Sequence, residues 1–248
     1  GSRRSTKGKA TMCELLALTG PRPFPVRDLL PIAAAVERWG IAGMGWGLAW
    51  IDARDGRLRH YKRETALRDD ERAAPAICDA TTTTALVHLR RPSLLSTIQL
   101  HDTQPFVSAD DSFAFAHNGE LRRHAEYRAR YAARDLLRGR ADTEVGFHFL
   151  ADLLRDMEPA RALVRLQDAM GGPNNLLYLG GDGLLLAYSA SEENPVYRFR
   201  LGDRIGVVTA LYSRDRAVFD LALPDATYLD ELPIGQAMTL TERSAVRA

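Results

Sequence analysis

The chain has 248 residues, and its 33 lysines and arginines against 32 aspartates and glutamates leave a formal net charge of +1. Its content of 46% hydrophobic and 26% charged residues is typical of a globular protein and excludes a disordered, collagen-like or coiled-coil chain. The balanced charge gives no electrostatic reason to expect binding to nucleic acid or to an anionic membrane.

The N-terminal segment has the composition of a leader that precedes the folded part. It is polar and basic, and the apolar stretch that follows it already carries Glu14, which excludes a signal peptide. We interpret residues 1–12 as a vector remnant or a propeptide plus an initiator methionine. The remainder contains no linker and no internal repeat, so we expect one domain over residues 13–248.

Cysteine content and hydropathy indicate the compartment. The two cysteines, Cys13 and Cys78, are too few for a disulfide framework. No uncharged apolar run approaches the ~18 residues that a membrane-spanning helix needs. We therefore expect a cytoplasmic protein that has no membrane span.

Hydrophobic patterning and turn residues predict the secondary-structure elements in chain order. Alternation and short apolar runs predict strands over residues 13–19, 44–51, 58–62, 83–89, 112–116, 175–179, 184–188, 196–200, 204–209 and 236–241. Helical periodicity predicts helices over residues 124–137, 143–157 and 160–170, and another between Asp28 and Gly40. Strands first, helices in the middle and strands last indicate an α+β layered fold with a mainly antiparallel sheet.

Cys13 is the first candidate for chemistry. A cysteine at the start of a mature chain carries a nucleophile and a base on one residue, because the thiol has a reference pKa near ~8.5 and the α-amine one near ~7.7–8.0. The partly unprotonated amine then takes the thiol proton, directly or through one water. The alternative is a buried structural cysteine at the start of a strand, and position alone favours that alternative.

Three further groups supply candidates whose roles the local sequence leaves open. Arg90, at the end of an apolar strand, has a side chain suited to binding a carboxylate, although a single arginine is more often a solvated surface charge. Asn118 and Gly119 either supply two donors to an oxyanion hole or form an ordinary Asn-Gly turn. Asp142 precedes a helix, where it either caps that helix or holds an ammonium group of a ligand.

Six short motifs follow one another along the chain: Met12-Cys13-Glu14-Leu15-Leu16, Gly45-Trp46-Gly47, His88-Leu89-Arg90, Thr103-Gln104-Pro105-Phe106, Ala116-His117-Asn118-Gly119-Glu120-Leu121 and Asp142-Thr143-Glu144. In this order they resemble the class II glutamine amidotransferases, which belong to the N-terminal-nucleophile hydrolases. The likeness is greatest to the stand-alone branch that begins Met-Cys-Glu-Leu-Leu, and it runs from Met12 to about Thr241.

The resemblance implies a role for each candidate residue. Cys13 matches the nucleophile, whose own α-amine serves as base, and Arg90 matches the arginine that binds the α-carboxylate of glutamine. Asn118 and Gly119 match the oxyanion hole, and Asp142 matches the carboxylate that holds the substrate α-ammonium. The implied fold is a four-layer αββα sandwich of two antiparallel sheets. The implied chemistry needs no metal and no organic cofactor.

The chain departs from the pattern of this branch at three places. Met44 stands where an aspartate is usual. Asp102-Thr103-Gln104-Pro105-Phe106 stands where an Asn-x-His-Pro-Phe segment is usual, so that Gln104 takes the place of the histidine. We expect these changes to affect the surroundings of the catalytic residues or the substrate preference. While residues 1–12 remain attached, the nitrogen of Cys13 is an amide and cannot act as a base, so activity requires the release of Cys13.

Three functions are compatible with the sequence. The first is hydrolysis of glutamine through a cysteinyl γ-glutamyl thioester, with ammonia passed to a separate synthetase. The second is a γ-glutamyl amide hydrolase acting on a larger compound, similar to the ergothioneine-pathway enzymes, because Arg90 and Asp142 recognise only the glutamyl head group. The third is a catalytically silent scaffold or binding subunit.

Overall fold

The computed structural model describes residues 13–92, 95–211 and 214–241, which form twelve strands and six α-helices. The strands are β1 Glu14–Pro25, β2 Trp46–Asp52, β3 Leu58–Arg63, β4 Thr81–Leu89, β5 Phe106–Val107, β6 Phe113–Gly119, β7 Asn174–Gly180, β8 Leu185–Ser189, β9 Val196–Leu201, β10 Arg204–Thr209, β11 Thr227–Glu231 and β12 Ala237–Thr239. The helices are α1 Leu29–Gly40, α2 Ala73–Ile77, α3 His124–Ala132, α4 Asp142–Leu153, α5 Pro159–Met170 and α6 Arg216–Ala222. The predicted leader, residues 1–12, lies outside the described residues.

Two sheets form the centre of the molecule. The first has seven strands in the order β11-β9-β10-β1-β4-β2-β3, and the second has five strands in the order β12-β8-β7-β6-β5. Each pair of neighbouring strands in both sheets is antiparallel. The α+β fold with antiparallel sheets that the sequence predicted is confirmed.

Three apolar clusters hold the layers together. Side chains alternate along β1, so Leu16 and Leu18 pack toward α1 and α6, whereas Leu15 and Ala17 pack toward the second sheet. The opposite face of the second sheet buries Phe115 against α4 and α5. The order of layers is therefore helix, sheet, sheet, helix, which confirms the predicted four-layer sandwich.

Strand β1 is longer than predicted, because the Gly-Pro pair at residues 20–21 does not end it. The register between β1 and β4 shifts between Thr19 and Phe24, and pairing then resumes with Phe24 opposite Thr82. An irregularity at this position accommodates a proline, which has no N–H to offer the ladder. The Gly-Pro pair thus interrupts the pairing of β1 without terminating the strand.

The helix predicted between Asp28 and Gly40 is α1, but its ends form differently from the expectation. The Asp28 side chain makes no capping hydrogen bond to a described residue, and the left-handed residue after the helix is Ile41 with φ of 56°. Gly40 is the last helical residue, and a Cβ there would overlap the side chain of Glu14. The glycine therefore serves close packing of α1 on the start of β1.

The helix predicted over residues 124–137 ends earlier, at Ala132. Asp135 adopts a left-handed conformation with φ of 53°, which turns the chain away from the helix axis. The following backbone N–H groups of Arg138 and Gly139 donate to the carboxylate of Glu144 at 2.6 and 2.9 Å. These side-chain bonds replace the helical ones and shape a loop that leads into α4.

Candidate active site

Separate chain segments meet at one end of the two sheets. Cys13 directly precedes β1 and Arg90 directly follows β4, and the antiparallel register pairs Glu14 with Leu89. Cys13 and Arg90 therefore lie side by side. Asn118, near the end of β6 in the second sheet, donates from Nδ2 to the carbonyl oxygen of Cys13. This hydrogen bond joins the two sheets at the candidate site.

The thiol of Cys13 is half-buried and contacts the backbone of Arg91. The Arg91 N–H donates to Sγ at 3.3 Å, and Sγ donates to the Arg91 carbonyl oxygen at 3.7 Å. Burial raises the pKa of the Cys13 thiol to about 11, opposed by the Arg91 N–H and by the charge of Arg90. The thiol is therefore protonated at neutral pH and needs a base before it can attack as a thiolate.

The loop between α1 and β2 wraps around Arg90. The Arg90 N–H donates to Gly45 O at 2.8 Å, and the N–H groups of Gly43 and Met44 donate to Arg90 O at 3.0 and 3.1 Å. Arg90 Nη1 donates to Thr103 Oγ1 at 3.5 Å. The side chain is buried, and burial lowers the pKa of its guanidinium. A buried guanidinium beside the thiol suits an anionic ligand, whose carboxylate would pair with its charge.

Asn118 and Gly119 are the last residues of β6, paired with Asn175 and Asn174 of β7, so they do not form the turn that local sequence allowed. Gly119 has a φ of 134°, and a Cβ at this position would overlap the carbonyl oxygen of Pro173. Only glycine fits there. Asn118 Oδ1 is buried without a hydrogen-bond partner among the described residues. Because Asn118 lies near the end of β6, this strand holds the Asn118 side-chain amide against Cys13.

Asp142 is the first residue of α4, and its carboxylate has local partners. Oδ1 accepts from the Thr143 N–H at 2.8 Å, and Oδ2 accepts from the Leu121 N–H at 2.9 Å. The second bond ties the start of α4 to the segment that follows β6. The Thr143 hydroxyl also donates to Oδ1 at 3.4 Å. Oδ2 has a further lone pair, so these bonds are compatible with an additional ammonium ligand.

A buried polar network supports the candidate site from the side of α4, and sequence reasoning identified only part of it. The His117 ring lies between Thr143 and Asn174, with Nδ1 at 3.0 Å from Thr143 Oγ1 and Nε2 at 2.8 Å from Asn174 Oδ1. Gln104 binds the backbone of His117 and the hydroxyl of Thr143. The departure at Gln104 was visible in the sequence, whereas the roles of Thr143 and Asn174 depend on contacts between distant segments.

A second carboxylate holds the loop that leads into α4. Asp102 Oδ1 accepts from the N–H groups of Arg140 at 2.7 Å and Ala141 at 2.8 Å. A Cβ on Gly139 would overlap the same oxygen, so the loop packs directly on Asp102. Asp102 was noted in the sequence only as part of the altered Asn-x-His-Pro-Phe segment.

The described ranges contain no group of three or more histidine, cysteine or acidic side chains arranged to hold a metal ion.

His88 is buried near Arg90, and its ring nitrogens have no hydrogen-bond partner among the described residues. Burial holds the pKa of His88 well below 6.5, so its ring is neutral at pH 7. Within the same ranges, no helix is long and apolar enough to cross a membrane.

Comparison with known proteins identifies the family. Residues 12–193 match the model of the class-II glutamine amidotransferases, and the chain belongs to this family. Membership of this family indicates an enzyme of a class that uses an N-terminal cysteine nucleophile. A search of curated proteins finds none that matches the chain.

Solved structures with low sequence identity share the fold. The chain is similar to glutamine phosphoribosylpyrophosphate amidotransferase from B. subtilis in complex with ADP and GMP (TM-score 0.70, 17% identity, 95% of this chain and 50% of that one). It is also similar to an allosteric regulatory enzyme of purine biosynthesis (TM-score 0.71, 16% identity, 92% and 49%). A glutamine aminotransferase class-II domain protein from Silicibacter pomeroyi matches with TM-score 0.57 and 17% identity (92% and 98%). The chain spans about half the length of the first two proteins.

Proposed function

We propose that the chain hydrolyses the side-chain amide of glutamine through a γ-glutamyl thioester on Cys13, releasing glutamate and ammonia. The observation that carries this proposal is the hydrogen bond from the Asn118 side-chain amide to the carbonyl group of Cys13, which brings the oxyanion-hole candidate against the nucleophile candidate. Family membership supports the reaction class. The same family implies an acceptor for the ammonia, which we propose to be a separate synthetase in the cytoplasm.

The first half of the reaction forms the thioester. The α-amine of a released Cys13 takes the thiol proton, and Sγ attacks the side-chain carbonyl carbon of glutamine. Nδ2 of Asn118 and the N–H of Gly119 stabilise the oxyanion of the tetrahedral intermediate. The proton then passes from the α-ammonium of Cys13 to the leaving nitrogen, the C–N bond breaks, and ammonia departs.

The second half of the reaction regenerates the enzyme. The α-amine of Cys13 takes a proton from water, and the resulting hydroxide attacks the thioester carbon. Asn118 and Gly119 stabilise the second oxyanion, the C–S bond breaks, and the sulfur takes back the proton. Glutamate then leaves. The raised pKa of the Cys13 thiol supports this scheme, because a thiol with a pKa of about 11 requires an adjacent base at neutral pH.

Charge complementarity orients the substrate in this proposal. Arg90 binds the α-carboxylate by two parallel hydrogen bonds, and Asp142 accepts from the α-ammonium. The two opposite charges fix the distance between the head group and the scissile amide, which lowers the entropic cost of reaching the transition state.

A larger γ-glutamyl amide is the second candidate substrate, because Arg90 and Asp142 would contact only the glutamyl head group, which glutamine and larger γ-glutamyl amides share. Assays with glutamine and with a panel of γ-glutamyl amides of increasing size compare the two candidates.

The decisive experiment uses the chain that begins at Cys13, with the free N-terminus verified by mass spectrometry. Release of glutamate from glutamine is expected, and Cys13→Ala should abolish it. The matched control is Cys78→Ala, which removes the other cysteine of the chain, an exposed one beyond α2. A glutamine analogue with a diazoketone in place of the amide should label Cys13. Glutamate release that persists in Cys13→Ala would overturn the proposal.

A further inference from the structure

Asp102 is a buried carboxylate whose two oxygens have different surroundings. Its side chain is 1% exposed, and Oδ1 accepts the backbone N–H groups of Arg140 and Ala141. Oδ2 is also buried but has no hydrogen-bond partner among the described residues, and His101 Nε2 stands 3.8 Å from it. A buried carboxylate oxygen without a donor is costly, so a ligand that brings a donor would be stabilised there.

The position of Asp102 connects both halves of the candidate head-group site. It directly precedes Thr103, whose hydroxyl accepts from Arg90 Nη1. It also binds the N–H of Ala141, the residue directly before Asp142. Asp102 therefore lies between the segment that contacts Arg90 and the segment that begins with Asp142.

The charges around Asp102 fit a zwitterionic ligand. The negative charges of Asp102 and Asp142 both raise the pKa of the Arg90 guanidinium, which burial lowers. The Lys62 ammonium also lies near the Arg90 guanidinium, since both contact Thr103; Lys62 Nζ donates to Thr103 O at 2.9 Å. An α-amino acid head group adds one carboxylate for the cations and one ammonium for the two aspartates, so its binding leaves the local charge balance unchanged.

We propose that Oδ2 of Asp102 accepts a hydrogen bond from the α-ammonium of the substrate, alongside Asp142. An ammonium has three donors and no acceptor, so it can satisfy two carboxylates at once. This role rests on the proposed hydrolysis and narrows its substrate class to γ-glutamyl amides with a free, protonated α-amine. Compounds that are acylated on the α-nitrogen are excluded.

Asp102→Asn separates the two functions of this side chain. The asparagine Oδ1 still accepts from Arg140 and Ala141, whereas Nδ2 replaces the oxygen that we assign to the substrate. Calorimetry would measure the binding of two ligands, glutamine and 4-carbamoylbutanoate, which lacks only the α-ammonium. The protein would be the chain that begins at residue 13 and carries Cys13→Ala, with and without Asp102→Asn. The preference for glutamine is the ratio of the two dissociation constants. We expect this ratio to fall about tenfold in Asp102→Asn, which is the equivalent of one lost charge-assisted hydrogen bond.

The matched control is Glu120→Gln, which removes an exposed negative charge next to Gly119 and is expected to leave the preference unchanged. A second variant, Asp102→Ser, removes the charge and leaves a smaller hydrogen-bond acceptor. It should lower the preference for glutamine by a similar factor. An unchanged preference in a folded Asp102 variant overturns the proposed ammonium contact and leaves the proposed hydrolysis intact. If the Cys13→Ala chain binds neither compound, the proposed function fails and the role of Asp102 fails with it.

Discussion

The side-chain amide of Gln104 binds both backbone polar groups of His117. The His117 N–H donates to Oε1 at 2.6 Å, and Nε2 donates to the His117 carbonyl oxygen at 3.1 Å. The register of β5 and β6 pairs Phe106 with Phe115, so Gln104 would face His117 if the ladder continued. The side chain therefore extends the pairing of β6 up to the residue before Asn118.

Removing this amide is expected to impair catalysis more than substrate binding. In Gln104→Ala we expect kcat for glutamine hydrolysis to fall about 10- to 100-fold, because Asn118 loses the support that fixes it in the proposed oxyanion hole. KM should change by no more than about threefold. Steady-state kinetics and a thermal melt measure both effects. Gln104→Glu keeps the acceptor for the His117 N–H and should lie between the wild type and alanine; a change confined to KM would contradict this role.

Gly119→Ala tests whether the end of β6 requires glycine. The added Cβ would overlap the Pro173 carbonyl oxygen at a residue with φ of 134°, so we expect a loss of about 2–4 kcal/mol in the free energy of unfolding. The control is Gly183→Ala, where φ is 86° and a Cβ would meet no described atom within 4 Å. Conformation alone should cost about 1–2 kcal/mol there. Urea unfolding measures both free energies. Equal losses in Gly119→Ala and Gly183→Ala would show that the contact with Pro173 relaxes.

The pH dependence of Cys13 alkylation follows from its surroundings. Burial raises the pKa of this thiol to about 11, so the thiolate fraction is small at pH 8 and increases about tenfold per pH unit until the pH approaches that value. Alkylation by iodoacetamide in a Cys78→Ala background, followed by mass spectrometry of the full chain, measures the curve. A rate that levels off below pH 9 would show that the thiol is less desolvated than the structure indicates.

Arg90→Lys tests the bidentate binding of the substrate carboxylate. Lysine keeps the positive charge but lacks the planar pair of donors, so KM for glutamine is expected to rise about tenfold with a smaller change in kcat. Arg91→Lys is the matched control, because Arg91 contacts the thiol through its backbone, which the substitution preserves. Equal effects of the two substitutions would argue against a specific carboxylate contact at Arg90.

The sequence predicts the sheets better than the short elements at their edges. Strands with short apolar runs, such as β6 and β8, occur close to the predicted positions, because both faces of each are buried in packed layers. Strand β11 and helix α6 were not predicted. The residues of β11 are mostly half-buried or exposed, so they lack the hydrophobic period on which such a prediction depends.

The candidate site could be predicted as a set of residues but not as a geometry. Cys13, Arg90 and Asp142 were selected through a family resemblance, since each has an ordinary structural alternative in its local sequence. The contacts of Gln104 and Asp102 join segments 13 to 39 positions apart. No local pattern encodes such tertiary contacts, so the roles of these two side chains emerge only from the folded chain.

The place of β1 in its sheet has a consequence for a chain that begins at Cys13. A free chain end is ordinarily the first part of a domain to fray. Here the residue after Cys13 enters the middle strand of seven, with β10 on one side and β4 on the other. A free amino group at residue 13 would therefore lie at the start of a strand that is paired on both sides, and the amides of residues 16–19 should exchange among the slowest in the protein.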